Sequence, residues 1–156
     1  MHNRIFLLLS LLILSVIPIT FNSCVSSAKL VVSQGANLSK YKYVCFGINQ
    51  TGDSDLGDII MLVENEIANT NLKPISLTNA PDDYLGYTLT PEIHIRSEKW
   101  DGGHTYITIT FSDILMNQNV AVIKSDGFGM TVSQDQKLAL KAIRKKLQSV
   151  FGVNGQ

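Results

Sequence analysis

Within the segment from Tyr87 to Met130 two stretches place apolar residues on alternate positions, and this alternation constrains the fold more than any other feature of the chain. Ile107, Ile109 and Phe111 interleave with Tyr106, Thr108, Thr110 and Ser112. Tyr87, Leu89, Ile93 and Ile95 interleave in the same way with Thr88, Glu92, His94 and Arg96. A period of two sends successive side chains to opposite faces of a strand, one apolar and one polar. Thr and Ile dominate because β-branched side chains suit a pleated, half-buried surface. Two turn-rich stretches, Trp100-Asp101-Gly102-Gly103 and Met116-Asn117-Gln118-Asn119, divide the segment into an antiparallel meander. Its last strand is predicted over Val120 to Met130. Pro91 has no amide hydrogen, which predicts an edge position or a bulge. Gly127-Phe128-Gly129 predicts a bulge as well, since its G-x-G lacks the third glycine of a nucleotide-binding turn.

On either side of the meander the period changes. Leu56, Ile59, Ile60, Val63 and Ile67 recur at helical spacing, with Asp53 or Ser54 placed to cap the first free amides. Asn71 and Pro74 mark the stop. Tyr41 to Ile48 alternates before this helix, with Val44, Phe46 and Ile48 on one side, and Lys73 to Leu77 forms a short strand after it. The pair predicts a parallel strand–helix–strand crossover. Ala139, Ala142, Ile143, Leu147, Val150 and Phe151 stripe a terminal helix, opened by the capping box Ser133-Gln134-Asp135-Gln136. Lys137, Lys141, Arg144, Lys145 and Lys146 read as its solvated face. Lys29 to Ser33 adds a first strand. The expected class is α+β, one mixed, mainly antiparallel sheet with two helices packed on one face, in a single domain spanning 29–156. Val44, Phe46, Ile59, Val63, Ile93, Ile109, Phe111, Ile143 and Leu147 should be buried together.

The chain opens differently. Met1 to Arg4 is basic, Ile5 to Ile17 is apolar apart from Ser10 and Ser15, and Pro18 ends the run before Phe21-Asn22-Ser23-Cys24. Charged start, apolar stretch and small residue are the order of a secretory signal. A cysteine directly after the small residue looks like a lipobox, the signal for attaching diacylglycerol to a thiol. This reading divides the chain into a signal peptide, 1–23, a lipidated Cys24 with a short tether, 24–28, and the domain. Two alternatives stand beside it. An uncleaved membrane span would need about 20 apolar residues, more than this interrupted run supplies. Ordinary secretion with a cut after Ser26-Ser27-Ala28 would remove Cys24 altogether.

Composition narrows the chemistry. Thirteen Lys and Arg balance thirteen Asp and Glu, and no basic stripe forms, which argues against a nucleic-acid partner. With Cys24 lipidated, Cys45 has no partner for a disulfide, and its place between Val44 and Phe46 predicts a buried, inert thiol. His94, Asp101 and His104 would make a metal site only if the two histidines were cross-strand neighbours; two exposed strand histidines is the plainer reading. Asp82 and Asp83 are adjacent and diverge, and Ser133 has no histidine or lysine base in a motif. No enzyme signature, cofactor or metal is expected. Trp100 leans towards function: a lone Trp at a Gly-Gly turn, close to His104 and Tyr106, suits a contact surface, as Trp and Tyr anchor interfaces and stack on sugar rings. The competing reading folds Trp100 back as a lid on the core.

Taken in order, the Ser-Cys export signal, Tyr41-Lys42-Tyr43-Val44, the amphipathic helix, Lys99-Trp100-Asp101-Gly102-Gly103, the Thr-rich strand and Asp135 before an Ala-rich helix resemble small, uncharacterised envelope lipoproteins of Bacteroidetes. More distantly, the pattern is similar to the small α/β domain of penicillin-binding-protein activator lipoproteins, the curli-secretion lipoprotein and the N-terminal domain of the Tol-system β-propeller protein. The resemblance covers most of Leu30 to Phe151 and carries no catalytic residue. It implies a non-catalytic interaction or adaptor module held to the outer membrane by acyl chains, palmitate among them, on Cys24. The partners are then the membrane through the lipid and an envelope protein. The stretch after Cys24 has no acidic cluster, which favours the periplasm-facing side. The alternative is a glycan or small-ligand binder. In both cases the surface is Trp100, Asp101, His104 and Tyr106.

Overall fold

The computed structural model describes residues 25–47, 50–51, 56–100 and 102–155. The signal segment, Cys24, Asp53, Ser54 and Asp101 lie outside the described residues. Among the described residues seven strands and three α-helices follow in chain order: β1 Val25–Val32, β2 Tyr43–Val44, β3 Gln50–Thr51, α1 Gly57–Ala68, β4 Lys73–Pro74, α2 Asp82–Leu85, β5 Thr88–Ser97, β6 His104–Asp113, β7 Gln118–Phe128 and α3 Val132–Phe151. The strands form one sheet in the order β1-β7-β6-β5-β2-β4, with β3 beside β5. The four long strands β1, β7, β6 and β5 pair antiparallel, while β2 joins β4 and β5 in parallel. The fold is α+β: a mixed, mainly antiparallel sheet. The two long helices share one face, α3 across β7, β1 and β6, and α1 against α3 and β5.

The core follows the alternation. Ile93, Ile95, Ile107, Ile109, Phe111, Ala121 and Ile123 turn to the helices, which answer with Ile59, Val63, Ile67, Ala139, Ile143 and Leu147. Phe111 and Phe151 meet edge to face, with ring centroids 5.2 Å apart. Phe46, expected in this core, is only partly buried against it. Ile48 lies outside the described residues, and both Val44 and Cys45 are buried, so the alternation over Tyr41–Ile48 stops at β2.

Four local expectations are corrected. Val25–Ala28 is not a tether: these residues are the first half of β1, paired with Phe128–Ser125. Pro91 is not at an edge, since β5 lies inside the sheet. The Leu89 carbonyl accepts from Cys45 on the β2 side, and two residues on Pro91 turns the same backbone side to the break between β2 and β3. No amide hydrogen is needed there. The pairing of β7 with β6 is regular through Gly127 and Phe128, and the register shift lies at Phe111/Ser112 instead. Gly127 is glycine because α3 crosses it: a Cβ would stand 2.2 Å from the Asp135 carbonyl oxygen and 2.4 Å from the Ala139 nitrogen. Finally, α3 is capped two residues earlier than Ser133. The Thr131 side chain accepts from the Gln134 amide, and the Gln134 carboxamide accepts from the Met130 amide at 2.9 Å.

Candidate functional site

Three chain segments meet at one end of the sheet. β1 starts there, with Val25 opposite Phe128; β7 ends there; and β6 starts there, with His104 opposite Phe128. The β5–β6 loop carrying Trp100 closes the same end, since Ser97 pairs with Thr105. The loop is shaped by its glycines. Gly102 takes φ of 78°, a left-handed conformation that favours glycine, and the Gly103 amide donates to the Trp100 carbonyl at 3.1 Å. A Cβ on Gly103 would press to 2.8 Å from that of Glu98. The indole of Trp100 is 60% exposed and outside the core cluster, so the lid reading is overturned.

His104 anchors the start of β6. Its Nδ1–H donates to the Asp126 carboxylate at 2.8 Å, and its backbone amide donates to Glu98 at 3.1 Å. The ring stacks on Tyr106, centroids 5.6 Å apart, and tilts against Phe128 at 5.0 Å. The hydrogen bond to Asp126 raises the His104 pKa above its ordinary value against the smaller opposing effect of burial. Trp100, His104 and Tyr106 therefore do share one end, as their spacing predicts. His94 does not join them: it pairs with Thr108, four residues from His104, about 13 Å along a strand. Among the described residues no three His, Cys, Asp or Glu side chains stand close enough to hold a metal ion.

Beyond this end the polar face of the sheet is uncovered among the described residues. Lys29, Glu92, His94, Arg96, Tyr106 and Lys124 are exposed on it, and the long helices lie on the other side. The far end holds features without a sequence signal. Asp113, 1% exposed, collects the Lys40 ammonium at 3.0 Å, the Tyr41 hydroxyl at 2.9 Å and the amides of Leu115 and Met116 at 2.9 and 3.0 Å. Burial alone would raise its pKa, but these donors, the Met116 amide first among them, outweigh it and hold the carboxyl below its usual range. The β6–β7 turn is thereby fixed with Leu115 65% and Met116 59% exposed. Only the fold brings the four donors together. Arg144 stays on the exposed face of α3, and its guanidinium also forks onto the buried Glu66 carboxylate and ties α3 to α1.

Fold and site together define a one-sided α+β sheet domain with an aromatic, loop-built end and no helix among the described residues long and apolar enough to cross a membrane. No protein-family model matches the chain, and no curated protein does. Solved structures do. The chain is similar in fold to a PelC dodecamer from Paraburkholderia phytofirmans, at 12% identity and a TM-score of 0.51, over 83% of this chain and 99% of that one. A point variant of the same dodecamer gives 15% identity and a TM-score of 0.53 over the same shares.

Proposed function

We propose that the chain is a bacterial envelope lipoprotein, held to the outer membrane by acyl chains on Cys24 and facing the periplasm, that works as a non-catalytic interaction module. The observation that carries this reading is the start of β1. Val25 is already paired with Phe128, so a cut before Cys24 leaves the strand whole, whereas a cut after Ala28 removes half of it. The module reading is supported by an open polar sheet face and by exposed apolar side chains on fixed turns at both ends. β1 is the outer strand on its side of the described sheet, and an unpaired strand edge is a ready surface for another chain. The likeness to a dodecamer favours a further copy of this chain as one such partner.

The test is direct. The mature protein should begin at Cys24 and carry acyl mass, and Cys24→Ala should move it from the membrane to the soluble fraction. Each buried methylene adds about 0.8 kcal/mol to partition, so two or more chains hold stably. An unmodified N-terminus at Lys29 would sink the proposal. Crosslinking in native envelopes then identifies the partner. Glycan binding at the Trp100 turn is the second reading, favoured by the exposed indole; retention of the purified domain on envelope glycans would establish it.

A further inference from the structure

The same register that supports the anchor also fixes what the anchor stands beside. Cys24 is one peptide unit from Val25, so its Cα lies about 3.8 Å from that of Val25. Val25 pairs with Phe128, which pairs with His104. A lipid on Cys24 would therefore leave the protein at the end of the sheet that carries the Trp100 loop and the β7–α3 loop.

Two of the most exposed apolar side chains sit on these loops. Trp100 is 60% and Met130 72% exposed, and Phe128, at the end of β7, is half-buried. Neither loop is loosely held. The Gly103 amide fixes the first through the Trp100 carbonyl, and the Gln134 carboxamide and Asp135 carboxylate fix the second through the amides of Met130 and Gly129. Exposed apolar groups on braced loops present a surface that is ready before anything binds it. Trp favours the headgroup level of a bilayer, where its apolar ring and its N–H are both satisfied.

We propose that this end of the sheet, through Trp100 and Met130, seats against the lipid headgroup layer and orients the module on the membrane. The inference rests on Cys24 being the lipidated residue. An anchor alone would let the domain tumble about its lipid; the Trp100 contact makes the long strands stand away from the bilayer. The turn bearing Leu115 and Met116 then lies roughly 30 Å from the surface, at about 3.3 Å per strand residue, free for a protein partner.

Trp100 is the single tryptophan of the chain and so reports its own surroundings. The full acylated protein is reconstituted in phosphatidylethanolamine–phosphatidylglycerol vesicles containing lipids brominated near the headgroup. Trp100 emission should shift to the blue and lose intensity to the bromine atoms, as for an aromatic ring at headgroup level. A distal probe, Leu115→Trp in a Trp100→Phe background, should remain unquenched and open to iodide; Tyr87→Trp replaces it if that variant does not fold. Equal quenching at both ends would overturn the orientation. An acylated protein whose Trp100 stays unquenched and open to iodide would overturn the contact while leaving the anchor intact, and would return this end to a protein or glycan ligand. Mass spectrometry on the same sample reads the anchor separately. If no acyl chain is found, quenching of the unmodified protein by the same vesicles preserves the lipid contact, and its absence removes it.

Discussion

Asp113 and His104 occupy opposite ends of β6 and respond to pH in opposite senses. The Asp113 carboxyl is held below its ordinary range, so its stabilisation is present above the unfolded value of about 3.9 and lost as pH falls through the folded value. The His104 pKa is raised, so its stabilisation is present below the unfolded value of about 6.5 and lost as pH rises through the folded one. An NMR titration should find His104 titrating above His104 in the Asp126→Asn variant; identical curves would remove the pair. Both members are partly exposed, so the change in melting temperature is expected to be small. Asp113→Ala should cost about 3 kcal/mol, because it strands Lys40, Tyr41 and two turn amides around a buried site. Denaturant unfolding reads it directly. Neither partnership was legible in the sequence: Tyr41 and Asp113 are 72 positions apart, and no local pattern links them. Trp100, His104 and Tyr106 were legible because a tight turn keeps neighbours in sequence near one another in space.

At the scale of elements, strict periods survived folding and punctuation did not. The alternation of β5 and β6 and the stripe of α3 map onto buried faces because register is forced once one face is covered. The start of α3 shows why boundaries are harder. Thr131-x-x-Gln134 and Ser133-x-x-Gln136 are both capping boxes by composition, and the choice between them falls to tertiary structure: β7 ends at Phe128, and Asp135 must reach back to the Gly129 amide. Gly127 and Pro91 were misread for the same reason. Each answers to a neighbour distant in sequence, the backbone of α3 for one and the break between β2 and β3 for the other. Gly127→Ala should therefore destabilise by at least about 2 kcal/mol, since the added methyl meets helix backbone and forces α3 away from the sheet. Gly57→Ala has open space around its Cβ position and no positive φ, and serves as the comparison without a clash. If both variants melt together, close packing at Gly127 is not the cause.

For the whole molecule, the decisive element is the one that composition disguised as a linker. Val25-Ser26-Ser27-Ala28 is small and polar enough to read as a tether, yet it continues a ladder that runs without a break from Phe128 to Ala121. The ladder, and not an apolar pattern, specifies the first half of this strand, which is why the sequence places its start only at Lys29. It also covers one edge of β7 and lies under α3. A chain begun at Lys29 keeps half the strand and leaves the end of β7 unpaired, beside the first turns of α3. Its melting temperature should fall by several degrees, at roughly 3–6 °C for each kcal/mol lost in a domain of this size, and its exposed strand edge should promote association. The comparison with a chain begun at Val25 separates two histories of the protein. If the two melt alike, β1 contributes little before Lys29, and a cut after Ala28 would be compatible with a folded, freely secreted domain. If the shorter chain is weakened, a complete sheet needs Val25 to Ala28, which favours the proposed cut ahead of Cys24 over one after Ala28.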